Sequence, residues 1–450
     1  MTERLVVVGG DAAGLTAASQ ARRRRTADDL AITVFERSGW ISYSACGEPY
    51  HLSGEVPEVT SLLARSPERF AADGIEVHRH HDVVEIDTDA RTVTVVTPDG
   101  SRLVEPFDQL MYATGASAIR PPIEGLDTAG VHTLRTLDDM VAIDTDIDGA
   151  RDALVIGAGY IGLEVAEALV ARGLHVTVVD IFDSVLSRTM EPWLSPLVEE
   201  ELTRNGVEVA LGARIDAIHR EGVRAVAEAG GHRFEADLVV MGGGATPNSE
   251  LAASAGIPIG DTRAVEVDDR QHTSVDGVWA AGDCAEATHR VTGRPVNFQL
   301  GTVANKQGRV AGINLGGGDA RFPGVLGTAI TRVFDLEVSR TGIDPREAAD
   351  AGLDVFQGRV ESTTTAGYMP EAAAMTVAVT VDHDGVMVGG QIVGGRTAGK
   401  RIDTLATAIW ARMRGHDFAM ADLSYAPPFS GTWDPVAIAA RRAADAAARG

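Results

Sequence analysis

The sequence predicts an α/β protein with two Rossmann-like dinucleotide-binding units in one chain. Two glycine-rich turns, Gly9–Gly14 and Gly157–Gly162, each lie between a short apolar strand and a small-residue helix, and each is followed by a second strand ending on an acid. Length agrees, because 450 residues exceed what one hydrophobic core supports and two or three domains are expected.

In the first unit the run Leu5–Val8 leads into Gly9-Gly10-Asp11-Ala12-Ala13-Gly14, an Ala-rich helix through Gln20, and a strand Ile32–Phe35 ending at Glu36. Such a turn lets the backbone, here Gly9, Gly10, Ala13 and Gly14, approach a pyrophosphate whose charge the helix N-terminus stabilises. The acid, Glu36 with Arg37 beside it, is placed to bond a ribose hydroxyl. Asp11 stands where the usual fingerprint has its middle glycine, so its carboxylate must turn away from the phosphates. A merely tight structural turn is the alternative reading.

The second unit is the fuller match. Ala153–Ile156 leads into Gly157-Ala158-Gly159-Tyr160-Ile161-Gly162, the helix Leu163–Arg172, and the strand Val176–Val179 ending at Asp180. No arginine follows Asp180 until Arg188, which favours a free ribose 2′-hydroxyl and hence NADH, with NADPH left open. Tyr160 and Glu164 have two readings: residues of a helix start and surface, or side chains at the nicotinamide. Two further strand-to-turn junctions occur, Tyr112-Ala113-Thr114-Gly115 and Val278-Trp279-Ala280-Ala281-Gly282-Asp283.

Composition narrows the classes of partner. A formal charge of -24, from 64 acidic against 40 basic residues, opposes binding to nucleic acid or anionic lipid. No apolar run approaches the roughly 20 residues of a membrane span, and the N-terminus enters a strand without a signal-peptide pattern, so a cytoplasmic location is expected. The two cysteines, Cys46 and Cys284, build no disulfide framework and suit a reducing compartment. No metal site is expected.

Cys46 lies in Ser42-Tyr43-Ser44-Ala45-Cys46-Gly47-Glu48-Pro49-Tyr50, where Pro49 suits a first helical turn and a helix N-terminus favours the thiolate. Reductases that cycle an internal disulfide commonly hold a second cysteine four residues upstream, a position occupied here by Ser42. Chemistry at Cys46 would therefore pass through a mixed disulfide, a persulfide or a sulfenic acid. A small buried core residue is the alternative. Cys284, inside the Ala-Gly-Asp turn, reads as structural.

The Cys46 segment resembles the Ser-Phe-x-x-Cys-Gly-x-Pro-Tyr signature of the single-cysteine pyridine nucleotide-disulfide oxidoreductases, the coenzyme A disulfide reductase, NADH oxidase and NADH peroxidase group. The likeness extends to the tail, Tyr425-Ala426-Pro427-Pro428-Phe429-Ser430 followed by Asp434-Pro435, and is nearest to the coenzyme A disulfide reductases. It implies FAD in the first unit, closed over by Thr114, Gly115 and Gly282 with Asp283 on the ribityl chain, NADH in the second unit, and a C-terminal α+β dimerisation domain. Electrons would pass from NADH through FAD to a bond on Cys46, and a helix begun by Asn297-Phe298-Gln299 would direct its N-terminus at the flavin. The resemblance also implies a homodimer in which Tyr425 and Tyr368 of one subunit reach the Cys46 of the other, as proton donors or simply as partners in interface hydrogen bonds.

In that group Gln20, Arg22, Arg23 and Ser42 match positions that hold coenzyme A, and guanidinium groups suit its phosphates. The run Arg22–Arg25 reads equally as a solvated helix end. Oxygen- and peroxide-consuming members carry a histidine where this chain and the disulfide reductases have alanine, Ala12, which favours a small disulfide or persulfide acceptor. Ala45 in place of asparagine, Glu48 in place of an apolar residue, and Trp433 in place of smaller ones gather at the substrate pocket and loosen the assignment of coenzyme A disulfide itself. Three activities compete: an NADH-dependent disulfide or persulfide reductase, an NADH oxidase or peroxidase forming a sulfenate, and a flavin redox sensor of little turnover.

The expected domains are an FAD unit from 1–118 and 248–322, an inserted NADH unit from 119–247, and an interface domain from 323–450. The glycine-rich stretch Gly312–Gly327 is expected to mark the last boundary, and the Ala/Arg-rich tail to form a surface helix.

Overall fold

The structure, a computed structural model, describes residues 2–449. The first unit forms a five-stranded parallel sheet in the order Val278–Ala280, Gln109–Tyr112, Glu3–Val8, Leu30–Glu36, Glu76–Arg79. Its central strand buries Leu5, Val6, Val7 and Val8 among apolar neighbours, as a strand covered on both faces requires. The last-formed strand, Val278–Ala280, joins this sheet after the chain has built a second one. That second sheet is also parallel and five-stranded, ordered Glu208–Ala210, His175–Val179, Asp152–Ile156, Leu238–Met241, Val131–Thr133. The chain leaves and re-enters the first unit through an antiparallel pair, Ala116–Ala118 with Ala245–Pro247.

The strand-turn-helix-strand order expected at both units is present, with helices over Ala12–Arg22 and Tyr160–Ala171. The two turns are built alike. Gly9 and Gly157 have φ of 108° and 113°, values open to glycine alone at little cost, and a Cβ on Gly9 would lie 2.1 Å from the Ala113 carbonyl oxygen. Each turn is thereby pressed against the neighbouring strand end, which aims the helix that follows.

After the second sheet the chain forms the helix Gly301–Leu315, which crosses Ala12–Arg22 at close range. Its Gly308 and Gly312 leave no room for side chains: a Cβ would stand 2.4 Å from the Ala13 oxygen and 2.3 Å from the Ala17 oxygen. Gly312 opens the glycine-rich stretch expected to mark the last domain boundary. It is a helix-packing glycine, and glycine-rich composition alone does not separate the two uses.

The C-terminal part is an antiparallel five-stranded sheet, Ala329–Val333, Leu336–Gly342, Met387–Gly394, Ala374–Asp382, Val355–Thr363, with helices over Ile402–Trp410 and Pro435–Ala447. The tail helix is not the surface helix expected. Ala439, Ala440 and Ala443 are fully buried, and its backbone comes so close to the sheet that a Cβ on Gly358 would sit 2.1 Å from the Ala439 oxygen. Its small residues are what permits that approach. The architecture is the expected α/β class with two Rossmann-like sheets and a separate C-terminal sheet.

Candidate active site

A cavity of about 520 Å³ opens at the C-terminal ends of the first sheet, the customary ligand crevice of such folds. Its lining joins residues far apart in sequence: the turn Gly9–Ala13, Glu36 and Arg37, Thr114 and Gly115, Gly282 and Asp283, Gly301, and Cys46. Gly14 lies behind the wall, where a Cβ would strike the Gly9 oxygen at 2.0 Å. The N-termini of Ala12–Arg22 and Gly301–Leu315 both open on this space and supply unpaired N–H groups to an anionic or electron-rich ligand.

Glu36 is committed to the turn itself. Its carboxylate accepts from Gly10 N at 2.8 Å and from Ser38 N at 2.8 Å while still lining the cavity. Asp11 turns to the opposite loop and accepts from Tyr43 N at 3.0 Å. Burial, together with the charges of Glu36 and Asp283, raises its pKa to about 6 despite the Tyr43 bond. The turn of the side chain toward Tyr43 is what an acid at this position requires. Asp283 is held by Arg135 in a partly buried ion pair, and the Gly282 amide before it donates to Gln307 Oε1 at 2.9 Å. These donors, glycines and helix ends fit the FAD that the sequence resemblance implies.

Cys46 occupies a short 3₁₀ turn, Ala45–Gly47, directly before the helix Glu48–Leu52 with Pro49 in its first turn. The loop is held by Ser42, which has φ of 50°, donates to the Gly10 carbonyl at 3.1 Å and accepts from Ala64 N at 2.7 Å. The thiol is exposed in the cavity wall. Against the thiolate expected from the helix N-terminus, enclosure by protein pushes the Cys46 pKa up, as do Glu164, Asp283 and Glu48, with Arg135 opposing. A five-residue helix brings little dipole to oppose so many carboxylates. Cys284 is fully buried, its sulfur 3.4 Å from the Ala281 carbonyl oxygen, and burial pushes its pKa up to about 11.

In the second unit Asp180 accepts from Ala158 N at 2.5 Å and from Phe182 N at 2.9 Å, the counterpart of Glu36. A Cβ on Gly159 would meet nothing within 4 Å, so the turn presents open backbone there, whereas one on Gly162 would strike the Gly157 oxygen at 1.8 Å. Ile161 follows at the helix start and packs partly on the core. Glu164 is no helix-surface residue. Its carboxyl accepts from Thr331 Oγ1 at 2.6 Å, burial raises its pKa, and its charge is felt at Cys46. The Tyr160 hydroxyl is buried without a partner.

The residues expected to hold a phosphate-bearing acceptor are dispersed. Gln20 is buried with its amide oxygen on Arg24, and Arg22 is spent on the carbonyls of Arg25, Leu30 and Gly74. At the helix end Arg23 and Arg24 are exposed, and Arg24 is bonded to the backbone and side-chain oxygens of Gln20, which leaves Arg23 as the uncommitted cation of the expected set. Tyr368 and Tyr425 are 76% and 51% exposed and line no part of the cavity in their own subunit. The sequence reading missed Arg135, Gln307 and Thr331. Arg135 had a signal nearby, since Thr136 and Asp139 form a capping box that marks a helix start beside it.

Residues 3–308 match the pyridine nucleotide-disulphide oxidoreductase family and residues 328–437 its dimerisation domain. The chain is 38% identical over 444 residues to an NAD(P)H sulfur oxidoreductase (CoA-dependent) of Pyrococcus furiosus, covering 98% of each. It is 31% identical to a coenzyme A disulfide reductase of Staphylococcus haemolyticus, covering 98% of this chain and 99% of that one. Among solved structures, an NAD-dependent persulfide reductase from A. fulgidus superposes with a TM-score of 0.93 at 40% identity, over 97% of this chain and 82% of that one. The chain therefore belongs to the pyridine nucleotide-disulphide oxidoreductases, FAD-dependent disulfide oxidoreductases that draw on NAD(P)H.

Proposed function

We propose that this oxidoreductase reduces a small disulfide or persulfide, coenzyme A-linked, at Cys46, with NADH as the preferred donor. The observation that carries the reading is the position of Cys46, exposed in the wall of the cofactor cavity, while the only other cysteine is sealed in the core. With no second thiol in reach, the acceptor sulfur bonds to Cys46 itself. Relatives named for coenzyme A-dependent sulfur, persulfide and coenzyme A disulfide reduction support that acceptor class.

Bound FAD supplies the two-electron exchange between nicotinamide and sulfur. Gly9, Gly10 and Ala13 bring backbone to its pyrophosphate, Gly14 lets the helix pack close behind them, Glu36 and Arg37 face its ribose, and Thr114, Gly115, Gly282 and Asp283 close over its middle. Gly157, Gly159, Tyr160, Ile161, Gly162 and Asp180 hold NADH, with Glu164 at the nicotinamide. Ser42, in its strained backbone state, orients the Cys46 loop toward the acceptor, and Arg23 is left as the cation for an acceptor phosphate. The dimerisation-domain match and the exposed Tyr425 and Tyr368 support a homodimer in which these hydroxyls serve the partner's Cys46. The same reading keeps the division into 1–118 with 248–322, 119–247, and 323–450.

Replacing Cys46 with serine should abolish turnover of coenzyme A disulfide and of polysulfide while flavin stays bound. Mass spectrometry of the protein as isolated should find a coenzyme A-sized adduct on Cys46. Retained disulfide turnover in the serine variant would sink the reading, and rapid aerobic NADH loss without added disulfide would move it to the oxidase class.

A further inference from the structure

Tyr368 and Tyr425, both exposed, stand on irregular chain: the loop after the strand Val355–Thr363 and the tail before the helix Pro435–Ala447. One guanidinium ties these two stretches together. Arg401 ends a 3₁₀ turn, Gly399–Arg401, at the foot of the helix Ile402–Trp410, whose Ile402 and Leu405 are fully buried. Its Nη2 donates to the Thr364 carbonyl at 2.7 Å and to the Phe429 carbonyl at 2.5 Å, its Nη1 to the Thr397 carbonyl at 2.7 Å, and its Nε to Asp434 Oδ2 at 3.1 Å. The side chains of this ion pair are largely shielded from water. The two stretches also meet directly, Ala366 N donating to the Pro427 carbonyl at 2.9 Å.

The partners of Arg401 are themselves held. Thr397, a β-branched residue, has φ of 76°, a backbone state such residues rarely adopt. It keeps that state between Arg401 on its carbonyl and Glu337 Oε1, which accepts from its N–H at 3.0 Å. Asp434 is engaged on both oxygens: Oδ2 also accepts from Ser430 Oγ at 3.1 Å, and Oδ1 accepts from Val436 N at 3.0 Å as the cap of the tail helix. Strain held in this way beside two exposed tyrosines is expected where side chains must be kept in place for chemistry.

We propose that Arg401 is a positioning residue for the reaction. Through Thr364 it sets the loop of Tyr368, and through Phe429 and Asp434 the tail of Tyr425, so that both hydroxyls keep one spacing against Cys46 of the partner subunit. This role rests on the reading of those tyrosines as serving the partner's Cys46. When Cys46 attacks a disulfide, one acceptor sulfur bonds to its Sγ and the other leaves as an anion. A tyrosine hydroxyl gives that anion its proton and takes one back from water. Such transfer falls off steeply with misplacement, and a planar guanidinium fixes direction as well as distance. Lysine would keep the charge, but its three N–H donors on a flexible stem cannot meet three carbonyls and a carboxylate at once.

The test compares the flavin-loaded enzyme as wild type, Arg401→Lys, Asp434→Asn and Tyr368→Phe/Tyr425→Phe, and the last combined with each of the other two. Turnover of coenzyme A disulfide reads the reaction at Cys46, while NAD(P)H-dependent reduction of ferricyanide, which draws electrons from the flavin, reads the rest of the enzyme. Arg401→Lys should lower disulfide turnover by about 10–10²-fold, in kcat more than in KM, with ferricyanide reduction, flavin content and subunit assembly unchanged. In the enzyme without the two hydroxyls the same substitution should cost less than about 2-fold, because what it positions is gone. Wild-type disulfide turnover in Arg401→Lys overturns the proposal. A loss shared by ferricyanide reduction, flavin content or assembly overturns it too, since that marks a structural role, as does an undiminished loss in the enzyme without the hydroxyls. Should Arg401→Lys yield no flavin-loaded enzyme, Asp434→Asn decides, because asparagine keeps the helix cap and withdraws the charge from Arg401. A smaller loss confined to disulfide turnover, and missing without the hydroxyls, upholds the assignment; wild-type turnover overturns it. Full turnover in Tyr368→Phe/Tyr425→Phe is a distinct failure, of the tyrosines' own role, and removes that of Arg401 with it.

Discussion

Gly308→Ala sets two physical arguments against each other. Helix propensity favours alanine over glycine by about 0.8–1 kcal/mol in a helix interior. Packing opposes it, because the new Cβ would stand 2.4 Å from the Ala13 oxygen, 2.9 Å from its Cα and 3.0 Å from its carbonyl carbon. All three atoms are backbone and have no rotamer by which to yield. The helices Gly301–Leu315 and Ala12–Arg22 must part by roughly 1 Å, and overpacking of this kind costs about 1–3 kcal/mol. The displacement also pulls Gln307, the preceding residue, from its 2.9 Å bond to the Gly282 amide, which costs about 1 kcal/mol more. The net expectation is destabilisation of about 1–3 kcal/mol, or a fall in Tm of several degrees at about 2–4 °C per kcal/mol. Because Gly282 and Ala13 both line the cavity, flavin loss should accompany the shift. Thermal melting followed by flavin fluorescence, with flavin content measured on the purified variant, tests this. A variant with full flavin and unchanged or higher Tm refutes the packing argument and leaves propensity in control.

Iodoacetamide should modify Cys46 alone in the folded protein, with Cys284 reacting only after denaturation; labelling of both in the native state contradicts the burial of Cys284. Arg135→Ala leaves Asp283 partly buried and unpaired, so flavin retention should drop sharply while Arg135→Lys retains a part; equilibrium dialysis against free flavin measures it. Asp11 has its folded pKa raised, so the stability its protonation brings is full below the ordinary value of 3.8 and is lost as pH rises through about 6. The Tm of Asp11→Asn relative to wild type should therefore increase across that window, and a pH-independent difference would show that Asp11 does not titrate there.

Much of the fold was legible because its local rules are strict. A turn that needs positive φ at Gly9 and Gly157, with an acid at the end of the next strand, has few sequence solutions, and both copies are written plainly. The exposed Cys46 and the sealed Cys284 were likewise separable by their neighbouring motifs. Small residues misled where their use depends on a distant partner. Gly312 reads only as part of a glycine-rich boundary stretch until the Ala17 backbone is set against it, and the tail alanines read as a surface until Gly358 is found beneath them. Arg22 looked free for a phosphate because the sequence does not disclose the unmet carbonyls of Leu30 and Gly74.

From the sequence alone came the two dinucleotide units, the order of their parts and the cysteine with no dithiol partner, since each depends on residues close together along the chain. Tertiary structure decided the electrostatics. Asp11, Asp283 and Arg135 line one cavity with Cys46, the charges of Glu164 and Glu48 act on that thiol from two further segments, and the cost of burying charge is set by that convergence in space. At Cys46 burial and the neighbouring carboxylates push the thiol pKa up, against the effect expected of the helix end alone.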